Sequence, residues 1–306
     1  MQSSNVPLDE LSGELDQLFS IHELDQDPFS RFVPQVYQKI GFDYTDIFQP
    51  DFCERFNGLM LRSGDIIKEV YCAAFPTPEI VEQVMMTAKE GSLLFLHHPI
   101  DMEVSGVGFL PIHPNNLEWL RTQGISVYAC HAPMDCHDEI GTAASIVKAF
   151  EIEVEGSFAQ YCNGYAGRIG TIAPLHLKEL IKEGQKIFGV NRVEIGGDCP
   201  TIVTKIAVVP GGGDDTEFFE EAEQRGADVY ITGEWYTRTM PPDEKGADWA
   251  KANRTACETY AEKSKMAFLG FSHAATEFLV MKTQMRDYFR RKGLKIICLE
   301  QTDWWR

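Results

Sequence analysis

The sequence predicts an α/β fold, tending to α+β in its mixed sheets, built from two internally duplicated αβ repeats. Three observations carry this expectation. A strand–turn–helix–strand pattern occurs over residues 69–98 and again over 205–234, at a constant offset of 136. Each half then reaches a further strand followed by His-x-x-x-Asp or His-x-x-x-Glu, at an offset of 142. Of the 306 residues, 44% are hydrophobic, which is enough for a sizeable core.

The elements follow in order. Residues 1–50 read as an acidic, helix-rich lead-in. Glu69 to Ala74 (EVYCAA) is a short apolar strand, and Phe75-Pro76-Thr77-Pro78 is a turn. Thr77 is suited to cap a helix with Pro78 at its first position, covering Glu79 to Lys89. Ser92 to Leu96 (SLLFL) is a buried strand that runs into His97-His98. In the second half Lys205 to Val209 is a strand, Pro210 to Gly213 a turn, Glu217 to Arg225 a helix and Asp228 to Thr232 a strand ending in Gly233-Glu234. Ile125 to Cys130 and Met266 to Phe271 are the third strands of the two halves. A helix after Glu277 runs to about Arg291, stopped by Gly293, and Leu294 to Leu299 closes the fold as a strand. The Gly- and polar-rich stretch 151–197 reads as a link between halves. The domain bounds are therefore 1–50, 51–165 and 166–306.

Charge and cysteine content narrow the function. A net charge of −18 repels nucleic-acid backbones and anionic membranes, so a nucleic-acid partner is disfavoured, while a small anionic substrate remains compatible with a local metal charge. The acidic N-terminus does not resemble a secretory signal, and no stretch approaches the roughly 20 apolar residues of a membrane span. Eight scattered cysteines without a C-x-x-C pair suit reduced thiols and a cytoplasmic location.

The candidate chemistry lies at the strand ends. His97 and His98 can both be ligands only if the backbone turns there, since side chains alternate along a strand, and Pro99 supplies a break. The plain alternative is a solvated loop pair. His273 and Glu277 stand four apart after Ser272, a suitable N-cap, so they share one helix face and can present an imidazole and a carboxylate to one metal. A capping contact plus a surface glutamate is the alternative there. Asp135 can be a ligand or a turn former, and His131 reads first as a packed histidine. Convergence decides: three strand ends offer His97, His98, Asp135, His273 and Glu277, which suit two divalent ions sharing one bridging carboxylate. A soft zinc site at Cys130-His131…Cys136-His137 lacks ribbon spacing. The PGGGDD run at 210–215 lacks a phosphate-loop Lys and reads better as a helix cap.

These residues resemble the NIF-three-like family, also known as GTP cyclohydrolase I type 2 homologs. The resemblance is carried in order by Asn57-Gly58-Leu59 with Ser63-Gly64-Asp65, Pro76-Thr77-Pro78-Glu79, His97-His98-Pro99, His131-x-x-x-Asp135, Gly226 through Glu234, and His273-x-x-x-Glu277. It implies two intertwined αβ repeats with a dinuclear metal site in the cleft between them, and a homohexamer built as a trimer of dimers. It also implies that Glu277 bridges the ions, that His98 and Asp135 complete one site, and that His97 and His273 complete the other. The chain departs from the pattern at Ala132-Pro133-Met134 and at Gly233-Glu234 followed by Thr237-Arg238. The expected activity is metal-dependent hydrolysis of a small molecule, with His131 or Glu234 as a proton shuttle, and the resemblance implies a nucleotide opened at its purine ring as the substrate. A non-catalytic metal-binding or regulatory role through protein partners is the alternative. Imidazole and carboxylate ligands suit zinc, iron, manganese or nickel.

Overall fold

The computed structural model describes residues 5–24, 27–102, 108–236 and 244–302. Two compact units make up the chain. The first is built from residues up to Met102, Phe109–Met134 and Met281–Thr302, and the second on Asp135–Val280. This partition by compactness cuts the chain differently from the repeat grammar, because the C-terminal strand returns to the first unit.

The first unit holds a five-stranded sheet in the order Lys295–Cys298, Glu69–Ala73, Ser92–Leu96, Ile125–Ala129, Gly58–Leu61. The first four run parallel and the last is antiparallel to its neighbour. The three central segments, EVYCA, SLLFL and ISVYA, are buried at every position. Apolar runs without alternation are what strands covered on both faces require. Helix Pro78–Thr87 connects the first two of them, and the Thr77 hydroxyl accepts from the Ile80 amide at 3.2 Å, with Pro78 in the first turn. The lead-in contributes helix Leu8–Leu18, which buries Leu8, Leu11 and Leu15 at helical spacing.

The second unit holds a six-stranded mixed sheet in the order Glu194–Gly197, Ala267–Gly270, Val229–Glu234, Ile202–Gly212, Gly164–His176, Glu153–Tyr161. The second, third and fourth of these are parallel and the remaining pairings antiparallel. The duplication is visible in the register: Val70 pairs with Leu93, and 136 positions later Ile206 pairs with Val229. In each unit a third parallel strand, Ile125–Ala129 or Ala267–Gly270, lies beside the second. Asp215 caps helix Thr216–Gln224, its carboxylate accepting from the Glu217 amide at 2.9 Å, as the capping reading of PGGGDD expects.

Two expectations need correction. The stretch 151–197 is no linker: it forms the hairpin Glu153–Tyr161/Gly164–His176, helix Leu177–Phe188 and strand Glu194–Gly197. Its polarity misled because these strands lie toward the sheet's edges and carry one wet face. Phe158 and Ile169 are buried, whereas Val154 and Tyr165 are about half exposed. The strand expected over Lys205 to Val209 continues through the PGGG segment to Gly212. Residues 237–243, which include Thr237-Arg238 and the Pro241-Pro242-Asp243 segment where six extra residues would fit the change of offset from 136 to 142, lie outside the described residues. No helix among the described residues is long and apolar enough to cross a membrane.

Candidate metal centre

Chain topology explains why the candidate side chains meet within each unit. In the first unit His97 and His131 follow adjacent parallel strands, Ser92–Leu96 and Ile125–Ala129, at their C-terminal ends, where open α/β sheets bind ligands. The backbone bends at His97, so strict strand alternation ends there. The amides of His97 and His98 still donate to the carbonyls of Ala73 and Ala74, at 3.2 and 2.9 Å. The two rings lie 4.6 Å apart and nearly perpendicular, and the His131 ring lies 5.0 Å from His97 and 4.6 Å from His98. All three histidines are buried, and each brings a ring nitrogen within 4.8 Å of the others. His131, expected first as a packed histidine, is thus part of a three-imidazole cluster.

Each ring is held from outside the cluster. The His97 Nδ1–H donates to the Cys130 carbonyl at 2.8 Å. His98 stacks on Phe75 at 4.1 Å and meets Phe29 edge-on at 4.7 Å. His131 Nδ1 faces the Asp27 carboxylate at 2.9 Å, and its amide donates to Asn57 Oδ1 at 2.7 Å. Burial pushes the Asp27 carboxyl up, but the His131 charge and hydrogen bonds from His131, Asn57 and the Ser30 amide outweigh it and hold the group well below the usual carboxylate range.

In the second unit Glu234 ends the strand Val229–Glu234, and His273 follows the adjacent parallel strand Ala267–Gly270. His273 opens helix His273–Val280, and the Ser272 hydroxyl accepts from the Ala275 amide at 3.4 Å. One turn later Glu277 Oε1 lies 3.0 Å from His273 Nε2. Glu234 Oε2 lies 3.0 Å from His273 Nδ1, so it orients that ring. Asp135 and Glu277 bring carboxylate oxygens within 4.8 Å of each other, and Asp135 Oδ1 accepts from the Thr142 hydroxyl at 2.8 Å. Burial alone would lower the His273 pKa, but the charge of Glu277 and hydrogen bonds to Glu234 and Glu277 push it up to about 10.

The donor sets fit a divalent transition metal: buried imidazoles and carboxylates are its ordinary protein ligands. The backbone beside them leaves room for these side chains. Gly211, at φ +63°, lies so close that a Cβ there would come within 2.1 Å of Glu277 Oε1 and 3.0 Å of His273 Nε2. Its amide donates to the Thr276 hydroxyl at 3.1 Å, and its carbonyl accepts from Thr232 Oγ1 at 3.1 Å. Gly211→Ala is therefore expected to displace Glu277 and destabilise the fold by about 1–3 kcal/mol. Thermal melts and metal content check this, and wild-type values in both would contradict the assigned packing.

Reading the sequence alone missed Asp27, Gly211 and Thr142. Asn57 and Gly211 sat within noted motifs, but no local signal links Asp27 to a histidine 104 residues away. Asp228, also within a family motif, serves the backbone: its carboxylate accepts from the Thr204 and Lys205 amides at 2.8 and 2.9 Å.

The chain is similar to known proteins over most of its length. The profile of Duf34/NIF3 (NGG1p interacting factor 3) matches residues 44–303. A "GTP cyclohydrolase 1 type 2 homolog" of Pyrococcus horikoshii is 27% identical over 252 residues, covering 80% of this chain and 88% of the relative. Its counterpart from Yersinia pestis is 27% identical over 209 residues, covering 68% and 81%. Among solved structures, the protein ybgI, of unknown function, superposes with a TM-score of 0.65 at 18% identity, covering 98% of this chain and all of the other. Reduced HcgD from Methanocaldococcus jannaschii superposes at 0.64 with 15% identity and the same coverage. These structures share the fold.

Proposed function

The chain belongs to the Duf34/NIF3 family, and on that premise we propose that it binds divalent metal ions and uses them to hydrolyse a small molecule. One observation carries the metal reading. The Nδ1 atoms of His97, His131 and His273 all face oxygen acceptors, namely the Cys130 carbonyl, Asp27 and Glu234. Metal-ligating histidines are held in this way, with one ring nitrogen anchored by an acceptor and the other supplied to the ion.

The finer reading is a dinuclear centre. His97, His98, Asp135, His273 and Glu277 would hold two ions, with Glu277 bridging as the family resemblance implies. Ions held there would supply Lewis-acid polarisation and acidify water near neutral pH. The chain's own contribution is orientation by Glu234 and Thr142, with His131 and Glu234 as the groups suited to carry a proton. The name carried by the relatives favours a nucleotide among possible substrates. No disulfide joins the eight cysteines, and a cytoplasmic setting and a homohexamer arranged as a trimer of dimers belong to the same reading.

Elemental analysis of purified protein combined with a turnover panel of nucleotides and phosphoesters tests the proposal. Two ions per chain and metal-dependent turnover are expected. Two ions that are lost in Asp135→Ala, with no turnover on any substrate, would favour a metal-binding regulatory protein acting through partners.

The pH dependence of metal binding provides a further check. Protonated His273 stabilises its glutamate pairs fully below pH 6.5, and that contribution is lost as pH rises through about 10. A metal must displace this proton, so affinity should rise with pH across that window. Calorimetry in buffers of different ionisation heat should find proton release on zinc binding to chelator-treated protein between about pH 7 and 9. No release there would exclude His273 as a ligand.

A further inference from the structure

Asp27 lies ahead of the region shared with the family, which begins at residue 44, yet it is buried against the histidine cluster. Its surroundings are one-sided. Oδ1 accepts from the Phe29 amide at 2.9 Å and the Ser30 amide at 3.1 Å. Oδ2 accepts from Ser30 Oγ at 3.0 Å, Asn57 Nδ2 at 3.0 Å and the Ala132 amide at 3.2 Å. Both oxygens face His131 Nδ1, at 3.0 and 2.9 Å. An ionised carboxylate only accepts, so the nitrogen it faces must carry a hydrogen. In the neutral ring the other nitrogen, Nε2, then keeps the lone pair.

We infer that Asp27 is a positioning residue that locks His131 in the Nδ1–H tautomer and leaves Nε2 as the basic atom offered to the histidine cluster. Asn57 completes the clamp by binding both Asp27 and the His131 amide, at 3.0 and 2.7 Å. The same segment adds Phe29, whose ring lies 4.7 Å from His98 and 4.9 Å from His131. The N-terminal region is therefore part of the site's wall. A merely structural Asp27 would cap the Phe29–Ser30 turn without caring which ring nitrogen of His131 is protonated. The inference rests on the metal-site reading only for what the oriented Nε2 serves, which is to accept a proton from a reacting group or to ligate.

The test is long-range proton–nitrogen NMR of the full-length, histidine-labelled, zinc-loaded protein at about pH 9, with His131 assigned through His131→Gln. A protonated Nδ1 and an unprotonated Nε2 are expected in the wild type. Asp27→Asn presents an amide N–H₂ among groups that are nearly all donors, so it should shift His131 toward the Nε2–H form. An Nε2–H or doubly protonated ring in the wild type overturns the inference, as does an unchanged ring in Asp27→Asn. The wild-type spectrum decides even if the variant does not fold. Zinc content of the same samples reports on the metal proposal separately: a wild type without zinc would sink that proposal and leave the tautomer result standing.

Discussion

Replacing Glu277 with alanine is expected to strip the bound metal, lowering affinity by more than about 100-fold, since even partners one step removed from a metal typically cost 10–100-fold when lost. Glu277 is 3% exposed and touches His273 Nε2 at 3.0 Å. Its oxygens also lie within ligand distance range of Asp135, at 4.8 Å or less. Its loss removes a contact that joins an imidazole and a carboxylate of the second unit. Elemental analysis of Glu277→Ala beside Glu277→Gln is the decisive measurement. The glutamine keeps the volume and one neutral oxygen and should preserve the melting temperature while still losing metal, which separates ligation from packing. Wild-type metal content in both variants would remove Glu277 from the ligand set.

The second large effect concerns stability. Asp27→Ala removes the carboxylate of a buried carboxylate–imidazole pair and leaves the amides of Phe29, Ser30 and Ala132, the Asn57 amide and the His131 ring without their acceptor. A cost of about 3–5 kcal/mol is expected, as for other broken buried pairs. The melting temperature should fall by on the order of 10 °C. The sign with pH follows from the lowered carboxyl pKa. The folded group stays ionised to lower pH than the unfolded one, so its contribution is whole above the unfolded value of about 3.9 and fades as pH falls through the lower folded value. The gap between wild type and Asp27→Ala should therefore be widest near neutrality and close only in strong acid. Urea denaturation at several pH values measures it, and a difference that does not shrink on acidification would assign the loss to something other than the carboxylate.

Local chemistry made much of the molecule legible. Continuous apolar runs marked the central parallel strands, Thr77 and Asp215 marked helix starts, and the paired offsets of 136 and 142 exposed the duplication. The edge hairpin 153–176 was misread because a strand with one wet face carries too many polar residues to stand out. Pro210-Gly211-Gly212-Gly213 read as a turn, since nothing nearby in sequence reveals that Gly211 must make room for Glu277.

By itself the sequence determined the fold class, which follows from hydrophobic periodicity and caps along the chain, while the family came from the resemblance of its ordered motifs and the imidazoles and carboxylates at strand ends stood out as candidate ligands. Only the tertiary structure decided how those side chains are held. It added His131 to the first unit's imidazoles, turned Glu234 toward the His273 ring and brought Asp27 across 104 residues to His131. Hydrogen bonds of about 3 Å depend on where strands end in space, and separation along the chain carries no record of that.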